Sequence, residues 1–246
     1  MRQPFRAAVR HPMSPGMAQL PVPAPPSSAV AAFLRKAASV PALRTAPSPA
    51  RLLFAVDATA SRQPTWDRAC HLQAGMFAAA GRLSVSLAYY RGHGEFRATA
   101  FLADSRALAA AMTGVACRGG HTQILRLLRH TESEAARERL HALVFVGDAV
   151  EEDPGPILAA AARLGARGVP GFIFQEGDDP GATPVLRGIA RASGGAWAPF
   201  DHRSRDALAA LLRGAAAFAA GGREALAKLP EAAALLAQLP APGAGR

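Results

Sequence analysis

Three oxygen-bearing side chains, Asp57, Thr59 and Ser61, stand at alternate positions directly after an apolar run in Arg51-Leu-Leu-Phe-Ala-Val-Asp-Ala-Thr-Ala-Ser-Arg62. One carboxylate and two hydroxyls are hard donors, better suited to magnesium or calcium than to zinc. Two later segments offer the same chemistry. Thr122 closes the glycine loop Cys117-Arg-Gly-Gly-His-Thr122, and Asp148 follows the apolar run Ala142-Leu-Val-Phe-Val-Gly147. Two carboxylates balance the charge of a divalent ion, three hydroxyls add neutral ligands, and water completes an octahedron. Taken singly, each of these residues also reads as an ordinary helix cap or turn former. Their joint use depends on whether the chain brings them to one place.

The flanking runs say how it does so. A continuous apolar segment before a polar loop is the pattern of a strand buried on both faces, found inside parallel sheets. Loops leaving the C-terminal ends of such strands form the ligand-binding edge of open α/β sheets. Further strands are expected at Leu83–Tyr90, Glu95–Phe101, Val169–Gln175 and Ala196–Phe200. The short turn Arg91-Gly-His-Gly94 makes the second and third of these strands an antiparallel hairpin, with the third at an edge. His93 at its tip is expected to be solvated, at the end opposite the Asp57 loop or at its rim. Helices are expected at Pro64–Ala80, Asp104–Met112, from the glycine loop to about Arg139, and at Pro154–Leu164, Thr183–Ser193, Ser204–Ala219 and Arg223–Leu239. In the helix after the glycine loop, Ile124, Leu125, Leu128 and Ala135 form the expected buried face. The fold class is therefore α/β: a Rossmann-like open, mostly parallel sheet with one antiparallel edge strand and helices on both faces. Glu151, Glu152 and Asp153 read as a solvated acidic loop, and Glu176, Asp178 and Asp179 as a polar turn before Pro180.

Composition bounds the rest. The 246 residues, 50% hydrophobic, suffice for one sizeable core. The net charge of +10 is unevenly placed: seven basic residues and no acid precede Asp57, which leaves 21 basic against 18 acidic residues from there on. Residues 1–49 hold ten of the twenty prolines and read as a basic, Pro/Ala-rich tail without a core of its own. Within it, Ser28–Val40 has one short helical face. The expected division is this tail, a domain over 50–220, and a helical extension with a frayed end over 221–246. Cys70 and Cys117 form no metal or redox spacing, which favours a reducing, cytoplasmic setting. No apolar run reaches a membrane span, and the first residues lack the apolar core of a secretory signal. The tail has no dense Lys/Arg cluster with interleaved aromatics, so specific nucleic-acid binding is not expected. His71, His130 and His141 show no ligand spacing, and His121 is not assigned as a ligand.

The ordered set of donors resembles the von Willebrand factor A domain with its metal-ion-dependent adhesion site. Asp57-Ala-Thr-Ala-Ser61 matches the family's Asp-x-Ser-x-Ser with threonine at the first hydroxyl; Thr122 matches its threonine after a glycine loop; Asp148 matches its second aspartate. The resemblance spans about Ala50 to Ala220. It implies a Mg²⁺ site (Mn²⁺ or Ca²⁺ as alternatives) on Asp57, Thr59, Ser61, Thr122 and Asp148, binding an Asp or Glu of a partner protein without catalysis. For an alanine-rich, bacterial-like chain it implies a role inside an assembly, with an ATPase or chaperone, and a shift of Ser204–Ala219 on ligation. A Mg²⁺-dependent phosphohydrolase with Asp57 as nucleophile is the rival, with Asp178-Asp179 as its late metal pair. That chemistry wants a second acid two residues on, where Thr59 stands, and a nearby lysine, whereas the only lysines are Lys36 and Lys228. A metal-free scaffold is the third reading.

Overall fold

A computed structural model describes residues 48–60, 82–201 and 205–241. The expectations for residues 1–47, for Ser61, for the Pro64–Ala80 helix and for the last five residues lie outside them. Six strands form one sheet: β1 (Ala50–Asp57), β2 (Leu83–Arg91), β3 (Glu95–Ala98), β4 (Ala142–Gly147), β5 (Gly171–Glu176) and β6 (Ala196–Phe200). Their order is β3-β2-β1-β4-β5-β6, parallel throughout except for the β2–β3 hairpin at one edge. The chain builds outward from β1 to β3, then returns to the other side of β1 for β4. The order therefore reverses between β1 and β4, which is where such sheets open a crevice.

Every residue of β1 and β4 is buried because both faces of the sheet are covered. Successive side chains alternate between the two faces. Leu52, Phe54 and Val56 pack against α1 (Ser105–Thr113), α5 (Arg205–Ala227) and α6 (Ala233–Gln238), through residues such as Leu108, Leu212 and Leu235. Leu53 and Ala55 pack against α2 (Ile124–Arg137), α3 (Pro154–Ala166) and α4 (Ala182–Ser193), through Leu128, Ile157 and Ile189. Among the residues read from sequence as an extension, Leu226, Ala232, Leu235 and Leu239 join the same core as Leu52.

Local rules set the helix ends. Asp104 accepts the Arg106 N–H and caps α1, while Gly194, at φ 73°, gives α4 its left-handed stop. Beyond shifts of a residue or two at element ends, three features differ from the expectation. β3 ends at Ala98; only a single bridge, Val85 to Leu102, continues the pairing, so Phe101 lies beyond the strand. In α2 the buried face is Ile124, Leu127, Leu128 and Thr131, with Leu125 and Ala135 half-buried, a rotation of the stripe toward α3 and the sheet. At the C-terminus the expected break falls at Gly221 and Gly222, where the α5 backbone is not helical, but Pro230 also opens a separate 3-10 turn (Pro230–Ala232) before α6, inside the expected Arg223–Leu239 helix. Proline's missing N–H and the two glycines account for both interruptions.

Candidate functional site

The register of β1 fixes the first donor. Asp57 lies opposite Tyr90 of β2, and Val56 opposite Val146 of β4, so Asp57 and Asp148 leave neighbouring strands at nearly one level. Asp57 is fully buried. Its Oδ1 accepts the Thr59 N–H at 2.8 Å, and its Oδ2 accepts the Tyr90 phenol at 3.1 Å. The backbone ties the loop down further: Ala58 N donates to the Tyr90 carbonyl, and Arg118 N to the Ala58 carbonyl, each at 3.0 Å. The Asp57 loop and the glycine loop are thus stitched together.

Tyr90 was visible in sequence only as a strand residue. Burial, and then the charge and hydrogen bond of Asp57, push its phenol well above the usual range, with Glu152 and Asp148 adding to the effect. We expect Tyr90→Phe to leave the Asp57 carboxylate one donor short, costing about 1 kcal/mol of stability in urea unfolding. A folded phenol whose pKa is raised contributes stability that is complete below the free value of about 10 and is lost as pH rises toward the folded value. Wild type should therefore lose stability above about pH 10 more steeply than Tyr90→Phe. Equal slopes would contradict the burial of a neutral phenol.

Thr122 is placed by an acid that the sequence reading set aside. Its N–H donates to Glu151 Oε2 at 2.9 Å, and its Oγ1 accepts the Glu151 N–H at 3.0 Å. The Glu152 carboxylate receives the Ile124 and Leu125 N–H groups at the start of α2, and Asp153 accepts from Gly155 at the start of α3. The loop is solvated as expected, with Glu151 and Asp153 exposed, but its carboxylates also serve as caps, because orphan donors at helix N-termini attract carboxylates from wherever the fold brings them. Gln123, at the N-cap of α2, makes no side-chain cap bond, which leaves that task to Glu152. Asp179, by contrast, behaves as a turn and cap residue, accepting from Gly181 and Ala182.

Of the two positions expected for His93, the rim of the Asp57 loop is the one observed, and the residue is exposed. β2 runs parallel to β1, so the hairpin turn after β2 lies at the Asp57 edge, and the His93 ring meets that of His121 edge-on at 5.6 Å. His121 is exposed, and its Nδ1 lies 3.2 Å from Glu151 Oε2. Gly92 of the turn and Gly120 touch backbone to backbone: a Cβ on Gly120 would sit 2.1 Å from the Gly92 carbonyl oxygen.

Four of the five residues singled out from sequence, Asp57, Thr59, Thr122 and Asp148, line one cavity of about 220 Å³ together with Glu151 and the Gly119-Gly120 backbone. Two carboxylates and two hydroxyl-bearing residues are the donor types that suit a hard divalent cation. Among the described residues no group of three or more His, Cys, Asp or Glu side chains is placed to hold a metal ion. A larger cavity, about 780 Å³, lies along β6 and shares none of these residues. No helix among the described residues is long and apolar enough to cross a membrane.

No protein-family model matches the sequence, and no curated protein matches it. Solved structures do resemble it in fold. A von Willebrand factor type A protein from Catenulispora acidiphila superposes with TM-score 0.58 at 20% identity, over 71% of this chain and 43% of that one. The chain therefore spans under half the length of that protein. An aerotolerance-related membrane protein from Bacteroides fragilis gives TM-score 0.54 at 13% identity, over 68% and 98% of the two chains. The SpRpn10 VWA domain gives 0.53 at 12%, over 66% and 93%. The fold is VWA-like: a six-stranded, mostly parallel sheet with one antiparallel edge and helices on both faces.

Proposed function

We propose that this chain is a protein-interaction module whose strand-end cleft holds a divalent cation, Mg²⁺ or Mn²⁺, for a carboxylate of a partner protein. The observation that carries the reading is the convergence of Asp57, Thr59, Thr122 and Asp148 on one cleft at the β1–β4 crevice. When bound, the cation supplies a directional attraction for an Asp or Glu side chain. The chain's own residues do the positioning. Asp57 and Asp148 provide the charge, Thr59 and Thr122 provide hydroxyls, and Ser61 is proposed as a further donor. The Thr59 N–H and the Tyr90 phenol hold the Asp57 carboxylate, and Glu151 holds the backbone of Thr122.

The same contacts support a binding role over a hydrolytic one. Both Asp57 oxygens already accept hydrogen bonds, which lowers their nucleophilicity, and position 59 holds a threonine where an acid would be needed. A generic phosphate ester should not be turned over; Mg²⁺-dependent turnover lost in Asp57→Asn would overturn this. The interaction itself is tested by capture on the immobilised full chain. A partner should be retained in Mg²⁺, released by EDTA, and not held by Asp57→Asn. Retention that is indifferent to EDTA would reject the metal-bridged mode.

A further inference from the structure

Two strands from β4, at the β6 edge, a second surface is built around Trp197. Its backbone N–H donates to Gln238 Oε1 and its carbonyl accepts from Gln238 Nε2, each at 2.8 Å. Its indole N–H donates to Gln175 Oε1 at 3.1 Å, and Gln175, fully buried, donates in turn to Thr183 Oγ1 at 2.8 Å. The ring is therefore fixed before any ligand arrives. The Arg187 guanidinium lies over it, 4.0 Å from the centroid, and Arg191 follows one turn later on α4. Arg51, Arg91, Arg163 and Arg213 pair with glutamates, whereas Arg187 and Arg191 have no acidic partner among the described residues.

Concavities of about 780 and 400 Å³ lie here, and both are walled by Pro184, Arg187 and Trp197. The first reaches Gly195 and Pro240, the second Asp178 and Pro199, so the groove follows the length of β6. Strand addition is blocked on this edge. Gln238 occupies the outward backbone groups of Trp197, and Pro199, the next outward position, has no N–H. What binds must do so through side chains.

We propose that this groove docks an acidic, extended segment of a partner protein, its carboxylates pairing with Arg187 and Arg191 and an apolar side chain resting beside Trp197. A planar guanidinium stacked on an aromatic ring presents its donor fork to a carboxylate with little ordering cost. A nucleic acid fits less well, because two arginines are few for tracking phosphates. The chain's own first 56 residues carry no acid and so cannot supply the carboxylates of this proposal. This surface does not depend on the cation cleft.

The test uses the full chain in EDTA with a fluorescein-labelled peptide of mixed Glu, Pro and Leu, against the same peptide with Gln for Glu. Wild type should prefer the Glu peptide by at least about tenfold, with affinity falling as salt rises. Arg187→Gln with Arg191→Gln should remove that preference, and Arg187→Lys should weaken binding although charge is kept. Asp57→Asn should leave it unchanged, so failure here is separable from failure of the metal reading. These exposed arginines carry no core packing, so the variants keep the fold. The proposal is overturned by no saturable binding, by equal affinity for the two peptides, by indifference to the arginine substitutions, by tighter binding of a phosphopeptide or single-stranded DNA, or by a dimer that the arginine substitutions dissociate.

Discussion

Asp57→Asn is expected to weaken Mn²⁺ binding by more than about 100-fold, beyond the range usual for losing an outer-shell partner, while the chain stays folded. The asparagine keeps a carbonyl oxygen for the Thr59 N–H, and its amide can donate to the Tyr90 phenol oxygen, so one hydrogen bond of the buried pair is kept although the phenol proton loses its acceptor. What it loses is one of the two negative charges that balance the ion. Asp57→Ala loses more, because it also strands the Thr59 N–H and the buried Tyr90 hydroxyl. Leaving such groups unmade costs about 1–3 kcal/mol each. Calorimetric titration with Mn²⁺, paired with thermal melts, separates the two contributions. Wild-type affinity in Asp57→Asn would remove Asp57 from the site. A melt for Asp57→Ala no lower than that of Asp57→Asn would show that its hydrogen bonds do not hold the loop.

Gly120→Ala should lower both stability and cation affinity, although the residue touches neither carboxylate. Its Cβ would fall 2.1 Å from the Gly92 oxygen, 2.3 Å from the Gly92 carbonyl carbon and 2.5 Å from its Cα. All three are backbone atoms, and Gly92 is itself in the left-handed region at φ 57°, so the hairpin turn cannot yield as a side chain would. The glycine loop must move, which disturbs the Arg91 bond to the Ala116 carbonyl at 2.6 Å and carries Thr122 away from Glu151. Overpacking of this kind costs about 1–3 kcal/mol. Displacing the support of a ligand costs about 10–100-fold in affinity. Gly119→Ala is the control: open space surrounds its would-be Cβ, and the change should stay within about 0.5 kcal/mol. Identical behaviour of the two variants would show that the Gly92–Gly120 contact does not set the loop.

The strands were legible because burial on both faces leaves an unbroken apolar run. Ala142–Gly147 and Ala196–Phe200 were read to the residue, and β1 closely. That Asp57, Thr59, Thr122 and Asp148 line one cavity was legible because strand ends, glycine loops and residue type are all local properties. What escaped depends on register and on segments distant in sequence. Tyr90 meets Asp57 only because β2 pairs with β1 in one particular alignment. Glu151 and Glu152 serve donors 27 to 29 residues earlier, a relation no local acidic run reveals. The edge on which His93 lies was available from the sequence: once β1 and β2 are parallel, the turn after β2 must share the Asp57 edge. The break at Gly221-Gly222 followed from glycine chemistry, while Pro230 divides a stretch whose alanine content reads as one helix.

The most direct test of the cation cleft is to count bound metal. Equilibrium dialysis of the full chain against Mn²⁺, read by electron paramagnetic resonance, should show one saturable site per chain. That site should be displaced by excess Mg²⁺ and absent in Asp148→Asn. No saturable site in the wild type, or an undiminished one in Asp148→Asn, would contradict the assignment of this cleft to a metal.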